Sequence, residues 1–162
     1  MLYSRAREQI KSGDILLWTH RSWASWYDIQ IQFVRMGTQS KYCHVGIAWK
    51  IADRLFVLEA VGSGIRIYPL SATVPFDVIA RDDWNEEHEI KALSVIGEKY
   101  SKWEAIKGLF GLTSVDNHKW ECAEYVCFVL DLPVEKATPA NVADFLLETE
   151  GLELYSVVGE KK

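Results

Sequence analysis

At 162 residues and 49% hydrophobic, the chain can bury roughly 70% of the surface its unfolded form exposes, and a single domain over residues 1–162 is expected. Its net charge is −5, and no basic run is longer than Lys161-Lys162. Both argue against a phosphate-tracking surface, so no nucleic-acid partner is expected. The three cysteines, Cys43, Cys122 and Cys127, are odd in number and sparse for a disulfide framework, which leaves at least one thiol free. The N-terminal residues lack the apolar core of a secretory signal, and no apolar run approaches the ~18 residues that span a bilayer. A cytoplasmic protein without a transmembrane segment is the expectation, and a viral or lysis-released one would read the same way.

Along the chain, Ala6 to Lys11 suits a short helix, and Gly13-Asp14 turns into the apolar run Ile15-Leu16-Leu17-Trp18, the mark of a buried strand. From Ser22 to Met36, Trp23, Trp26, Tyr27, Phe33 and Val34 recur at helical spacing. Three β-rich runs follow, His44–Trp49, Leu55–Ala60 and Ile65–Leu70, separated by Lys50–Arg54 and Gly62-Ser63-Gly64. Phe76–Arg81 adds another. They predict an α+β fold whose mainly antiparallel sheet, a meander or a partly closed barrel, packs against helices.

The second half changes period. Asp83 or Asn85 can cap a helix with Glu86, Glu87 and Glu89 at its positive end and Ile90, Leu93, Gly97 and Tyr100 on one face. Trp103–Phe110 reads as helix or turn, and Thr113–Lys119 as a polar loop. Then comes a helix in which Cys122, Tyr125, Val126, Val129 and Leu130 keep the repeat until Asp131-Leu132-Pro133 stops it. A helix over Ala140–Thr149 and a strand over Leu152–Val158 complete the chain.

The chemistry lies in a histidine that opens a strand and a cysteine that opens a helix. A thiol attacks as its thiolate, which needs nearby positive potential; a helix N-terminus and an imidazolium both supply it. Free N–H groups at that helix start could also bind an oxyanion. His44 would take the thiol proton and return it to the leaving group. Glu59, an acid inside the apolar strand Phe56-Val57-Leu58-Glu59-Ala60, would orient the ring. This requires both side chains on one sheet face. In an antiparallel hairpin the paired residue numbers have a constant sum, and an odd sum meets the condition while an even one breaks it. We expect the odd register.

Each residue alone has a plainer reading, since a helix cysteine or strand histidine is ordinarily core; Cys43 and Cys127 are read as small buried hydrophobes. His20, His88 and His118 lie in polar segments and are expected at the surface, with His118 the fallback base. The chain has no Cys-x-x-Cys pair or spaced histidine pair, so no metal and no cofactor are expected.

In order and wording, Gly13-Asp14-Ile15-Leu16, Tyr42-Cys43-His44-Val45-Gly46-Ile47, Leu58-Glu59-Ala60, Gly97-Glu98-Lys99-Tyr100 and Glu121-Cys122-Ala123-Glu124-Tyr125-Val126 resemble the circularly permuted papain-like branch of the NlpC-type cysteine peptidase superfamily, especially its YiiX-like members. In that branch the histidine precedes the cysteine, as here; Ala123 departs from the serine frequent after the nucleophile. The resemblance implies Cys122 as nucleophile, His44 as base and Glu59 as orienting acid. It also implies a thiol hydrolase acting on a peptide, a peptidoglycan fragment or an acyl substrate. Two alternatives stand beside an amidase or endopeptidase: a lipid acyltransferase or esterase with Trp18, Trp23 and Trp26 lining an acyl groove, and an inactive binding module of the same fold.

Overall fold

The computed structural model describes residues 1–19, 41–61, 63–97 and 122–160. The helix expected over 22–36, the segments 103–110 and 113–119, and with them His20, Trp23, Trp26, Tyr100 and His118, lie outside the described residues. A short helix α1 (Tyr3–Gln9) precedes strand β1 (Ile15–Thr19), and β2 (Tyr42–Ile51), β3 (Arg54–Val61) and β4 (Gly64–Pro69) follow as antiparallel neighbours. After a turn of 3-10 helix over Leu70–Ala72 come β5 (Phe76–Ile79) and α2 (Glu86–Ser94), then α3 (Cys122–Leu130), α4 (Pro139–Asp144) and β6 (Leu154–Val157).

The six strands form one open antiparallel sheet in the order β4-β3-β2-β1-β5-β6. The barrel alternative is therefore not adopted. The meander also stops at β4, because the turn after it carries the chain back to the free edge of β1. Leu70 in that turn is fully buried, and the carbonyl of Thr73 accepts a 2.8 Å hydrogen bond from Trp18 Nε1. The crossing is thus tied to the sheet it passes.

Strand periodicity explains why the β1 run is apolar throughout. Ile15 and Leu17, with Val45, Ile47, Leu58 and Ala60, face the helices, whereas Leu16 and Trp18, with Ala48, Val57, Val78 and Val157, form a second core with Ala6 and Ile10 around α1. Asp14 anchors the start of β1: its carboxylate accepts from the backbone N–H of Lys11 and of Arg81, each at 2.9 Å. Gly13 has φ +92°, and a Cβ there would lie 2.6 Å from Trp84 Cβ, so a side chain is barred both by conformation and by space.

The helices are closed as their sequences imply. Asn85 caps α2 by accepting from His88 N–H at 3.1 Å, and Thr138 caps α4 by accepting from Asn141 N–H at 3.2 Å with Pro139 next to it. Asp131 ends α3 in the left-handed region, φ 51°. Two expectations for α2 are corrected. Ile90 is 62% exposed, and the buried positions are His88 and Ala92. Ala92 faces α3, where Tyr125 Oη donates to its carbonyl at 3.1 Å. His88 is buried rather than superficial, its ring centroid 5.9 Å from that of Trp84. Among the described residues no helix is long and apolar enough to cross a membrane.

Candidate active site

β1 and β2 pair so that Trp18 stands opposite His44 and Thr19 opposite Tyr42. One residue on β1 thus matches two on β2, making Cys43 the extra residue of a bulge. Such bulges re-aim side chains at the ends of strands. Tyr42 joins the helix-facing core, while His44 packs against Trp18, their ring centroids 5.2 Å apart at 46°.

Between β2 and β3, Ile47 faces Leu58 and Trp49 faces Phe56, the expected odd register. Continued by one pair, it sets Gly46 opposite Glu59 and puts Glu59 diagonal to His44 on the same face. The carboxylate reaches the ring, with His44 Nε2 and Glu59 Oε2 2.8 Å apart. Gly46 makes the diagonal possible, because a Cβ there would meet Val57 Cγ2 at 2.7 Å and the Leu58 carbonyl at 3.1 Å. His44 is 5% exposed and Glu59 1%.

A buried carboxylate of this kind requires cations, and two are present. Arg66 pairs directly with Glu59 across β3 and β4, its Nε donating to Oε1 at 2.8 Å, so each carboxylate oxygen has its own positive partner. Burial pushes the Glu59 carboxyl up, but the His44 ring and the Arg66 guanidinium outweigh it and leave it below the ordinary glutamate value.

Helix α3 packs on β2 and β3, and its first residue is Cys122, half-buried and free. The charge of its sulfur and a side-chain interaction with it both act on the His44 ring. An imidazole has two nitrogens, so with Nε2 engaged by Glu59 a thiol partner is served by Nδ1. Burial works against a charged ring, yet the charge and hydrogen bonds of Cys122 and Glu59 prevail and raise His44 from 6.5 to about 9. The site therefore favours imidazolium at neutral pH, beside a sulfur placed at a helix start.

The three predicted residues are thus brought together from β2, β3 and α3. The other thiols differ. Burial, aided by the charge of Cys122, raises Cys43 to about 11, and its Sγ contacts the Trp18 carbonyl at 3.4 Å. Burial and then Glu124 raise Cys127 to about 12. Trp18, expected to line an acyl groove, is 2% exposed and instead walls the histidine. Sequence reasoning missed Arg66. The signal was there, because an antiparallel pairing of Val61 with Gly64, the residues nearest in sequence on the two strands, sets Glu59 opposite Arg66.

No family model matches the chain, and no curated protein does. Among solved structures, the chain is similar to the metalloprotein YiiX of Escherichia coli O157:H7 (DUF1105). The identity is 19% and the TM-score 0.52, over 93% of this chain and 89% of that one. Among the described residues no group of three or more His, Cys, Asp or Glu side chains is arranged to hold a metal ion, and the His44 ring is engaged by Glu59 and Cys122. What the chain shares with YiiX is its fold.

Proposed function

We propose that the protein is a cysteine hydrolase of the permuted papain-like, NlpC type, cleaving an amide or peptide bond. One observation carries this reading: a buried histidine joins a carboxylate to a cysteine at a helix start. Cys122 Sγ attacks the acyl carbon as thiolate, with His44 holding the proton as imidazolium. As the S–C bond forms and the C–N bond breaks, His44 delivers that proton to the leaving amine, leaving a thioester on Cys122. Water then attacks the thioester, its proton passes to His44, and the thiolate departs with the carboxylic acid released. The oxyanion of both steps is assigned to backbone N–H groups at the described start of α3, the role that free N–H groups at a helix N-terminus serve. Glu59 takes no proton; it holds the ring and its charge. The contact between Cys122 and His44 supports catalysis over an inactive module, which would not need it.

The test is a panel of peptidoglycan peptides, isopeptide conjugates and short acyl esters, offered to the wild type and to Cys122→Ala, with an acyl-directed electrophile as trap. The expected results are cleavage lost in Cys122→Ala, and label mapped to Cys122 and not to Cys43 or Cys127. Cleavage should also decline as the pH passes about 9, where His44 can no longer supply the leaving-group proton. Full cleavage by Cys122→Ala, or equal labelling of all three thiols, overturns the reading. Preference for the esters would favour the acyltransferase alternative.

A further inference from the structure

We propose that Arg66 is a positioning residue that keeps Glu59 ionised while His44 is neutral, and so preserves the ring tautomer that the second half of the reaction needs. The inference rests on the reading of Cys122 and His44 as a nucleophile and its base.

Three geometric facts carry it. Arg66 stands directly opposite Glu59, its Nε donating to Oε1 at 2.8 Å and its Nη2 at 2.8 Å from the same oxygen, while Oε2 is left to His44. The guanidinium also lies 4.6 Å over the Tyr68 ring, which fixes its plane from the other side. Finally, the Arg66 side chain is 29% exposed while that of Glu59 is 2% exposed, so a partly hydrated and permanent cation faces a carboxylate that water barely reaches.

His44 carries its positive charge for only part of the cycle. Once it has protonated the leaving group, Glu59 faces a neutral ring, and a buried carboxylate without a cation draws a proton. A protonated Glu59 would donate to Nε2, and the ring's own proton would then sit on Nδ1, toward the sulfur. That ring cannot accept a proton from water at the thioester. Arg66 removes the incentive by giving Glu59 a counter-charge that never titrates. The Nε2 proton then stays between ring and carboxylate, and Nδ1 stays open.

The experiment follows the pH dependence of Cys122 alkylation by iodoacetamide, which needs no substrate, in the full chain. Arg66→Gln should move the acid limb of the profile upward by about one pH unit or more, and Arg66→Lys, which retains the cation, should bring it back. In a Glu59→Gln background, Arg66→Gln should add no further change, because its effect passes through Glu59. An acid limb in Arg66→Gln that coincides with the wild type, or effects of the two substitutions that simply add, overturns the proposal. Should Arg66→Gln fail to fold, Arg66→Lys carries the test: a wild-type limb supports the role of the charge, and a displaced one overturns it. A wild-type Cys122 that alkylates no faster than an ordinary thiol overturns the nucleophile reading itself, and this proposal with it.

Discussion

Replacing Glu59 by Gln keeps the shape of the side chain and removes the charge, so it isolates what the carboxylate does for His44. The rise of His44 from 6.5 to about 9 amounts to a preference of about 3 kcal/mol for the charged ring in the folded protein. Because the folded value is raised, that stabilisation is complete below about pH 6.5 and is lost as the pH climbs through 9. Glu59 works in the opposite sense. Its lowered value stabilises the fold above the ordinary glutamate range, and the benefit disappears as acid protonates it. Breaking a buried pair by removing one partner costs about 3–5 kcal/mol. Glu59→Gln should therefore lose about that much at pH 6, measured as urea unfolding free energy. The gap to the wild type should narrow at pH 10, where His44 is neutral in both proteins and only the weakened contact to Arg66 remains. A gap of the same size at both pH values would refute the reasoning, since it would mean that the native ring is uncharged.

Two further substitutions probe the frame around the pair. Gly46→Ala puts a methyl 2.7 Å from Val57 Cγ2, 3.1 Å from the Leu58 carbonyl and 3.5 Å from Glu59 Cβ; overpacking of this kind costs about 1–3 kcal/mol. It should lower the melting temperature and slow Cys122 alkylation together, and wild-type values of both would show that the strands tolerate the wedge. Trp18→Phe keeps an aromatic wall beside His44 but strips the Thr73 carbonyl of its 2.8 Å donor, a loss of about 1–3 kcal/mol for a buried acceptor. Here the melting temperature should fall while the alkylation profile stays close to wild type; an unchanged melting temperature would show that the carbonyl finds another donor.

The first four strands were legible because Gly13-Asp14, Lys50–Arg54 and Gly62-Ser63-Gly64 mark their turns and apolar runs lie between. Once β2 and β3 are neighbours, the face shared by His44 and Glu59 is a matter of parity alone. What stayed hidden was set by distant partners. Ile90 has helical spacing to Leu93, but the face of α2 that is buried is chosen by α3, through Ala92 and the Tyr125 hydroxyl. His88 sits among acids and reads as solvated, yet its place beside Trp84 encloses it. The pairing of β5 with β1 depends on which sheet edge is vacant, a fact no local pattern records. Trp18 announced a large apolar surface without saying that its use would be to confine a histidine.

The first and last described segments run alongside one another: Tyr3 N–H donates to the Val158 carbonyl at 3.0 Å, and Val158 N–H to the Met1 carbonyl at 2.9 Å. A covalent join between them, with a new opening anywhere between α2 and α3, would yield a chain of the same strands and helices in which the cysteine is read before the histidine. The described contacts of His44 with Trp18 and Glu59 involve none of the residues that would be joined or cut. The order in which the cysteine and the histidine are met along such a chain would be reversed while their strand and helix stay the same.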